Sequence, residues 1–350
     1  LQVVSKAVPN KTTMSILECI LIDSTSGEIK LTANDMELGI ETIIEGEILE
    51  KGIIALDAKI FLEIVRKLPD NDITITTDSN FKTAITCEKA KFNIIGKSGE
   101  DFSYLPMIER NESIIISQYT LKEVIRQTIF SISDNDNNKL MSGELFEING
   151  EEMRVISLDG HRISIRKIHL KNSYPAKKVV VPGKTLNEIS KILSGDADKD
   201  VTIFFTDKHI VFEFENTTVV SRLIEGEYFK IDQMLSSDYE TKVIIHKKEL
   251  LDCIDRATLL IKEGDKKPII INITDGSMEL KINSTVGSMD EEIDIEKMGK
   301  DLMIGFNPKF LIDALRVIDD ETITIYLVNP KAPCFIRDDE NSYIYLILPV

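Results

Sequence analysis

The chain has 350 residues, of which 43% are apolar and none is Trp, and its formal net charge at pH 7 is −17. That length is enough for two or three domains, each with a core of its own. No apolar run approaches the ~18 residues of a membrane-spanning helix. The acidic balance argues against a surface that coats nucleic acid tightly, although it allows a local basic lining.

The first predicted domain covers residues 1–111. Residues 1–8 follow a helical pattern that Pro9 ends. The pattern starts at Leu1 without the charged start or long apolar core of a signal peptide, so we expect a cytoplasmic protein whose true beginning is missing. Apolar periodicity then predicts a helix over 59–68 and strands over 16–22, 28–33, 36–44, 73–75, 81–87 and 90–95.

The second predicted domain, residues 112–236, repeats this order. Helices are predicted over 121–130 and 184–193. Asn149-Gly150 separates two alternating segments, which is a strong signal for a β-hairpin. The strands are predicted over 113–117, 143–148, 152–157, 163–168, 179–181 and 201–205.

The third predicted domain, residues 237–350, has helices over 248–260 and 309–318 and a hairpin around Asp275-Gly276. Its strands are predicted over 242–246, 269–273, 278–282, 291–295, 301–305, 323–327 and 343–348. Three similar domains with helices and antiparallel sheets give an α+β fold. Because open sheet edges must pair, we expect the sheets of successive domains to join, and head-to-tail modules to close into a ring.

One predicted helix occurs as three similar copies in the sequence, which start at Lys59, Lys184 and Lys309. The interval between successive copies is 125 residues (184 − 59 and 309 − 184). Its predicted buried face holds Phe61, Ile64, Leu68; Leu186, Ile189, Leu193; and Leu311, Ala314, Ile318. The opposite face holds base, acid and base: Lys59, Glu63, Arg66; Lys184, Glu188, Lys191; and Lys309, Asp313, Arg316. These charges are either solvated ion pairs along each helix or bases aimed at one shared anion.

Catalytic signatures are missing from the sequence, which has no nucleotide-binding glycine loop, no metalloprotease motif and no nucleophile elbow. The turn Asp159-Gly160-His161-Arg162 could orient a general base, or could place a polar rim beside a binding groove. The four cysteines and four histidines have no metal-ligand spacing, so buried free thiols and no metal or cofactor are expected. The apolar C-terminus is either a buried last strand or the lining of a peptide groove.

Four segments resemble the bacterial β sliding clamp, the processivity subunit of the replicative DNA polymerase III. They are KTTMSILE at 11–18, SLDGHRI at 157–163, GFN at 305–307 and YIYLILPV at 343–350, and the similarity runs in order along essentially the whole chain. The resemblance implies a homodimer whose six domains form a closed ring around duplex DNA. It also implies docking of the polymerase alpha subunit, the clamp loader, other DNA polymerases and repair proteins, with no catalysis by the clamp itself.

The resemblance also implies particular site residues. Those facing DNA would be Lys11, Arg66, Arg126, Lys191 and Arg316. Those lining a partner-peptide groove would be Met141, Leu158, Gly160, His161, Arg162, Ile163, Phe229, Gln233, Met234, Asn307, Phe310, Pro333, Leu346, Leu348, Pro349 and Val350. Those joining two chains would be Phe102, Leu259, Leu260 and Glu291, with the acidic run at 290–292 facing Lys89 or Lys91.

Two departures from the family pattern bear on these sites. Phe229 stands where the family usually has proline, which could reshape the apolar pocket, and the loop 134–139 is poorer in bases than usual. Three hypotheses remain open on the residues alone. They are a non-enzymatic DNA clamp that docks peptides, an enzyme using Asp159 and His161, and a scaffold that binds only proteins.

Overall fold

The computed structural model of the chain describes residues 1–134, 138–262 and 267–350. The helices are α1 (Ala58–Lys67), α2 (Gln118–Thr128), α3 (Gly183–Ile192), α4 (Lys247–Thr258) and α5 (Pro308–Val317). The strands of the first part are β1 (Cys19–Asp23), β2 (Ile29–Asn34), β3 (Leu38–Ile44), β4 (Ile53–Asp57), β5 (Thr74–Thr77), β6 (Lys82–Cys87), β7 (Ala90–Ile95), β8 (Lys97–Ser98) and β9 (Glu112–Ser117).

The remaining strands complete the description. They are β10 (Gly143–Leu158), β11 (Arg162–Pro182), β12 (Asp200–Phe205), β13 (His209–Phe214), β14 (Thr217–Arg222), β15 (Thr241–His246), β16 (Ile269–Thr274), β17 (Ser277–Asn283), β18 (Ser288–Asp294), β19 (Glu296–Gly299), β20 (Leu302–Phe306), β21 (Thr322–Leu327), β22 (Cys334–Arg337) and β23 (Tyr343–Ile347).

The chain forms two compact units, the first comprising residues 1–120 and 191–223. Its nine-stranded sheet has the order β8-β4-β1-β2-β3-β14-β13-β12-β9, and a separate three-stranded sheet has the order β5-β6-β7. Strand β3 pairs antiparallel with β14, with Ile40 opposite Val219. This pairing confirms that sheets of successive predicted domains join.

The second unit comprises residues 121–190 and 224–350. Its seven-stranded sheet has the order β10-β11-β23-β22-β21-β15-β19, and its four-stranded sheet has the order β18-β17-β16-β20. Helices α4 and α5 pack together in one apolar core with residues such as Leu250, Ile254, Leu311 and Leu315. Strand β11 pairs with the last strand, β23, so a second pair of predicted domains shares a sheet.

The repeated helix appears as α1, α3 and α5, which begin at residues 58, 183 and 308 and each span ten residues. The starting points keep the interval of 125 residues found in the sequence. The apolar positions of each copy are buried or half-buried, and the first and last bases of each copy are exposed. The prediction of these three helices and of their buried faces is confirmed.

The predicted hairpin at Asn149-Gly150 is wrong. Strand β10 runs without a turn from Gly143 to Leu158, and it pairs throughout with the long strand β11. A register irregularity between Ile148 and Glu152 accommodates Gly150, whose φ of 62° is the only positive one in the pair. A hairpin of type I′ needs positive φ at both central residues, whereas a bulge needs it at one glycine.

Smaller differences occur near the N-terminus. Residues 1–8, expected as the end of an α-helix, contain a 3₁₀ turn at Val4–Ala7. Ser15–Glu18 forms another 3₁₀ turn, so the strand expected from residue 16 begins at Cys19. The hairpin at Asp275-Gly276 is confirmed, since β16 and β17 pair directly across it.

Candidate partner-binding groove and charged helix surfaces

The turn between β10 and β11 is built around the Asp159 carboxylate. Its Oδ1 accepts hydrogen bonds from the backbone N–H groups of His161 and Arg162, at 2.9 and 3.1 Å. Gly160 adopts φ +88°, a conformation that residues with a side chain rarely adopt. Within the described residues, the carboxylate is therefore engaged by the turn itself and by Arg162, which disfavours a role in orienting the His161 imidazole as a base.

Arg162 is buried, with 6% of its surface exposed. Its Nε donates to Asp159 Oδ2 at 3.0 Å, its Nη1 to Asp313 Oδ2 at 2.6 Å and its Nη2 to the Phe130 carbonyl oxygen at 2.6 Å. Its guanidinium carbon lies 5.3 Å from the Phe130 ring centroid and 4.6 Å from that of Phe310. Burying an arginine is tolerable because both charge and hydrogen bonds are satisfied here.

The groove floor is an apolar cluster on one face of the seven-stranded sheet. Leu158, Ile163 and Leu346 lie side by side there, because Leu158 pairs with Ile163 and Ile163 with Leu346. The half-buried Met141 and Phe229 pack against the same cluster. The structure thus brings five of the expected groove residues into one apolar cluster, with three of them buried and two half-buried.

One side of the floor, which we call the helix wall, consists of His161, Arg162 and Phe310. The His161 and Phe310 rings stack with centroids 6.0 Å apart and an angle of 22° between their planes. Asn307 caps the helix that carries Phe310, since its Oδ1 accepts from the Lys309 N–H at 3.1 Å. The expected groove residue Asn307 therefore acts as a helix cap in the chain itself.

The C-terminal residues lie along the helix wall. The Leu348 N–H donates to the His161 carbonyl, and the Val350 N–H donates to the Gly305 carbonyl, both at 2.9 Å. Backbone bonds hold the segment, so the Leu348 and Val350 side chains remain exposed. Strand β23 is buried, as the interpretation of the C-terminus as a buried last strand expects. The last three residues lie beside His161 and Gly305.

The other side of the floor is the segment 228–234, which we call the strap wall. Tyr228 and Phe229 make an edge-to-face pair with centroids 5.5 Å apart. Gln233 and Met234 on the same segment are exposed. Pro333 and Pro349 are half-buried, and among the described residues no hydrogen bond or ring contact ties either to the floor.

A cleft of about 460 Å³ lies beneath the strap wall. Arg154 crosses it, donating from Nε to Glu147 at 2.6 Å and from Nη1 to Asp232 at 2.8 Å. Burial opposes ionisation of Glu147, but hydrogen bonds from Lys178 and Arg154 outweigh it and lower the pKa of that carboxyl. Sequence reasoning missed this network, because Glu147 and Arg154 lie in predicted strands whereas Asp232 follows Arg154 by 78 residues.

The residues expected to face DNA are placed as follows. Lys11, Arg66, Lys191 and Arg316 are exposed. Arg66 bonds to Glu63 of its own helix at 2.9 Å, and Arg316 lies 3.2 Å from Asp255 on α4. Arg126 contacts Glu123 and Asp319 at 2.7 and 3.1 Å. The base-poor loop 134–139 lies largely outside the described residues.

The residues expected between two chains divide into two groups. Leu259 is 81% exposed, whereas Leu260 is half-buried against the core of the second unit. Phe102 is only 3% exposed and packs with Cys19, Leu21 and Ala55 inside the first unit. Its expected contact with a second chain stays a prediction, to which a side chain buried this far can offer little surface.

Glu291 also has a partner within the chain. It forms an ion pair with Arg256 of α4, and the Arg256 hydrogen bond lowers the pKa of the Glu291 carboxyl. The strand that carries Glu291, β18, is an edge of its sheet, as is β7 in the first unit. Strand β7 exposes Phe92 and Ile95 and bears Lys91. The two edges are thus opposite in character, one acidic and one apolar with a base.

All four cysteines are free and buried, as expected. Burial raises the pKa of Cys334 to about 12, so this thiol stays protonated at neutral pH. Outside the gaps at 135–137 and 263–266, no group of three metal-ligating side chains occurs, and no helix is both long and apolar enough to cross a membrane.

Comparison with known proteins identifies relatives along the whole chain. Three family models match, the N-terminal, central and C-terminal domains of the DNA polymerase III beta subunit, at residues 1–106, 115–230 and 232–350. A Beta sliding clamp from Staphylococcus epidermidis is 33% identical over 99% of this chain and 94% of its own length.

Solved structures agree with these matches. A putative DNA polymerase III beta subunit from Eubacterium rectale is 77% identical with a TM-score of 0.98, over 99% of this chain and 95% of that one. The DNA polymerase sliding clamp from Bacillus subtilis is 34% identical with a TM-score of 0.96, over 100% of this chain and 95% of that one. The fold is therefore the three-domain sliding-clamp fold of helices and antiparallel sheets.

Proposed function

Because this chain belongs to the family of DNA polymerase III beta subunits, the sliding clamps that give the polymerase its processivity, we propose that it tethers partner proteins to DNA through the groove on its second unit. The observation that carries this proposal is the apolar floor of Leu158, Ile163 and Leu346 between two walls. The domains would be residues 1–111, 112–236 and 237–350, in a cytoplasmic, non-catalytic protein.

The groove suits a short apolar peptide segment. Its floor offers aliphatic side chains, and its rim offers the His161 and Phe310 rings and the exposed Leu348 and Val350 side chains. Apolar anchors buried in such a pocket supply most of the affinity of a peptide, while the rim sets its register. The partners would be the polymerase alpha subunit, the clamp loader, other DNA polymerases and repair proteins that carry such a segment.

The groove is tested with His161→Ala and with His169→Ala as a matched control. His169 is an exposed histidine on β11, the strand that begins directly after His161, and it lies beside Glu151. We expect His161→Ala to weaken binding of the polymerase alpha subunit roughly tenfold or more, while His169→Ala does not. Equal binding by both variants would refute the groove, and a turnover reaction lost in His161→Ala would favour an enzyme.

We also propose that two chains close the ring through the edge strands β7 and β18. Unpaired edges in globular proteins are either blunted or paired, and Phe92 on β7 and Leu259 near the end of α4 expose apolar surface. The bases Lys89 and Lys91 beside β7 would face the acidic strand β18. A head-to-tail pairing of this kind, made twice, gives a closed ring of six domains.

The solution mass tests this ring. Two chains of 39.5 kDa give 79 kDa by light scattering. We expect Phe92→Asp to reduce the dimer strongly and Glu291→Lys to weaken it mainly at low salt, with Glu50→Lys, an exposed loop position, as the charge control. A monomeric wild-type chain at micromolar concentration would contradict closure by the chain alone.

DNA would pass through the ring against the exposed bases of the repeated helices. Contacts to phosphates position a protein without reading sequence, which suits sliding. The triple variant Arg66→Glu, Lys191→Glu and Arg316→Glu should lose most retention on circular duplex DNA at low salt and keep alpha-subunit binding. Unchanged retention on DNA would favour a scaffold that binds only proteins.

A further inference from the structure

The acid of the repeated helix has different partners in the first and third copies. In α1, Glu63 bonds to Arg66 at 2.9 Å and lies 3.8 Å from the Lys67 Nζ, so it serves only its own helix. In α5, the equivalent Asp313 accepts from Arg162, which lies 151 residues earlier in the chain. In the third copy, the acid that pairs within its own helix in the first copy instead forms a long-range ion pair with Arg162.

Arg162 connects three separate segments. Asp159 belongs to the turn, Asp313 to α5, and the Phe130 carbonyl to the 3₁₀ turn after α2. Each of its three nitrogens donates to one of these acceptors, and the Phe130 and Phe310 rings lie within 5.3 Å of the guanidinium carbon. With 6% of its surface exposed, Arg162 has little left to offer a bound peptide.

We propose that Arg162 is a positioning residue of the groove and that Asp313 is its anchor on α5. The pair holds α5 so that Phe310 stacks on His161, while the carbonyl of His161 holds the C-terminal residues through Leu348. A partner touches His161, Phe310 and Leu348, and Asp313 contributes to affinity without touching it. This inference rests on the proposed function of the groove.

The test compares Asp313→Asn with Glu63→Gln, the same change at the matching position of the first copy. The probe is the full-length polymerase alpha subunit from the same genome, bound to the dimeric clamp. We expect Asp313→Asn to raise the dissociation constant roughly tenfold, because a charged hydrogen bond that fixes the helix wall is weakened. Glu63→Gln should bind as wild type does. Equal binding by the two variants would overturn the proposal.

A double variant separates positioning from general destabilisation. Arg162→Lys keeps the charge but cannot bridge three acceptors, so it should weaken binding as Asp313→Asn does. The double variant combines Arg162→Lys with Asp313→Asn. If Asp313 acts through Arg162, the double variant should bind the alpha subunit as tightly as Arg162→Lys alone does. Additive losses would overturn the proposal.

A spectroscopic measurement reads the wall directly. The chain has only four histidines, so the His161 ring resonance can be assigned by comparison with His161→Ala. Asp313→Asn should shift that resonance, since the His161–Phe310 stack changes, and Glu63→Gln should not. Failure of the wild-type clamp to bind the alpha subunit would reject the groove function, whereas wild-type binding with an unmoved His161 resonance in Asp313→Asn would reject only this inference.

Discussion

The two walls of the groove are held by the same chemistry in different surroundings. The helix wall depends on Arg162 with Asp159 and Asp313, whose side chains are 7%, 14% and 20% exposed. The strap wall depends on Arg154 with Asp232, whose carboxylate is 71% exposed. An ion pair shielded from water is strongly coupled to the fold, whereas one that faces water is screened and contributes little.

The two walls of the proposed groove also differ in how many segments of the chain hold them. The helix wall is fixed by hydrogen bonds from Arg162 to three segments of the chain. Its shape should therefore change little as long as the second unit stays folded. The strap wall has regular structure only at the 3₁₀ turn Ile231–Gln233 and is attached at its surface by one exposed pair. Tyr228 and Ile231 of the strap wall are also buried in the same apolar cluster as the floor, so the exposed ion pair is only a small part of its attachment.

The largest effect should come from Arg162→Met. Removing the guanidinium takes away the hydrogen bonds that it donates to the Asp313 carboxylate and the Phe130 carbonyl, and leaves Asp159 with only the two backbone donors of the turn. We expect a loss of ~3 kcal/mol in the free energy of unfolding of the second unit. Urea unfolding followed by circular dichroism measures it, since the chain has no Trp for fluorescence.

Arg66→Met is the control for this prediction. Arg66 pairs with Glu63 on an exposed helix surface, with 57% and 46% of the two side chains accessible. Such a pair is worth well under ~1 kcal/mol, so the unfolding midpoint should hardly move. Equal losses for Arg66→Met and Arg162→Met would show that burial does not distinguish the two arginines.

Glu144 differs from the acids of the two walls, because it is buried and no basic side chain pairs with it among the described residues. Glu144 lies on β10, next to the floor residue Leu145, and is completely buried. Neither carboxyl oxygen has a hydrogen-bond partner of good geometry among the described residues. Burial raises the pKa of Glu144 to about 8, and the neighbouring Thr128 hydroxyl offsets only part of that rise.

The pH dependence of Glu144 follows from that shift. The ordinary pKa is 4.5, so between about pH 5 and pH 8 the folded chain keeps a proton that the unfolded chain has lost. The free energy of unfolding therefore falls as pH rises, by about 1.4 kcal/mol per pH unit at most. Glu144→Gln should flatten this slope in urea unfolding at pH 5.5, 6.5 and 7.5. A slope identical to that of wild type would refute the assignment.

Much of this arrangement follows from local sequence, and the rest does not. The 125-residue period fixed the positions of α1, α3 and α5, because apolar spacing on a helix is a local property. The turn at Asp159-Gly160 was likewise predicted. The pairing of Asp313 with Arg162 was missed, since it joins residues 151 positions apart. The hairpin prediction at Asn149-Gly150 failed for the same reason. The irregularity at Gly150 arises from pairing with the distant strand β11, where Gly150 lies opposite Tyr174.

The burial of some single side chains also could not be predicted from the local sequence pattern. Phe102 stands in a polar stretch, between Asp101 and Ser103, where an exposed contact residue would be expected. It is buried because the 3₁₀ turn Gly99–Asp101 directs the chain back onto β1 and β4. The cleft network of Arg154, Glu147 and Asp232 needed the same kind of tertiary information.

The smallest effect should come from Asp232→Asn in the strap wall. The hydrogen bond from Arg154 lowers the pKa of the Asp232 carboxyl below its ordinary value of 3.8. The stabilisation is therefore present above about pH 4 and is lost only as pH falls through the lower folded value. Salt weakens it near neutral pH, since Asp232 faces water. At pH 7 we expect less than ~0.5 kcal/mol in the free energy of unfolding.

Binding of the polymerase alpha subunit gives the sharper measurement for this variant. Asp232→Asn should change the affinity less than about threefold at 150 mM salt, because an exposed and screened ion pair contributes little to holding the strap wall. Lys178→Gln, which removes the exposed charge that pairs with Glu147, should do as little. A loss as large as that of Asp313→Asn would mean that both walls are held equally firmly, and that the exposure of Asp232 does not report how the strap is attached.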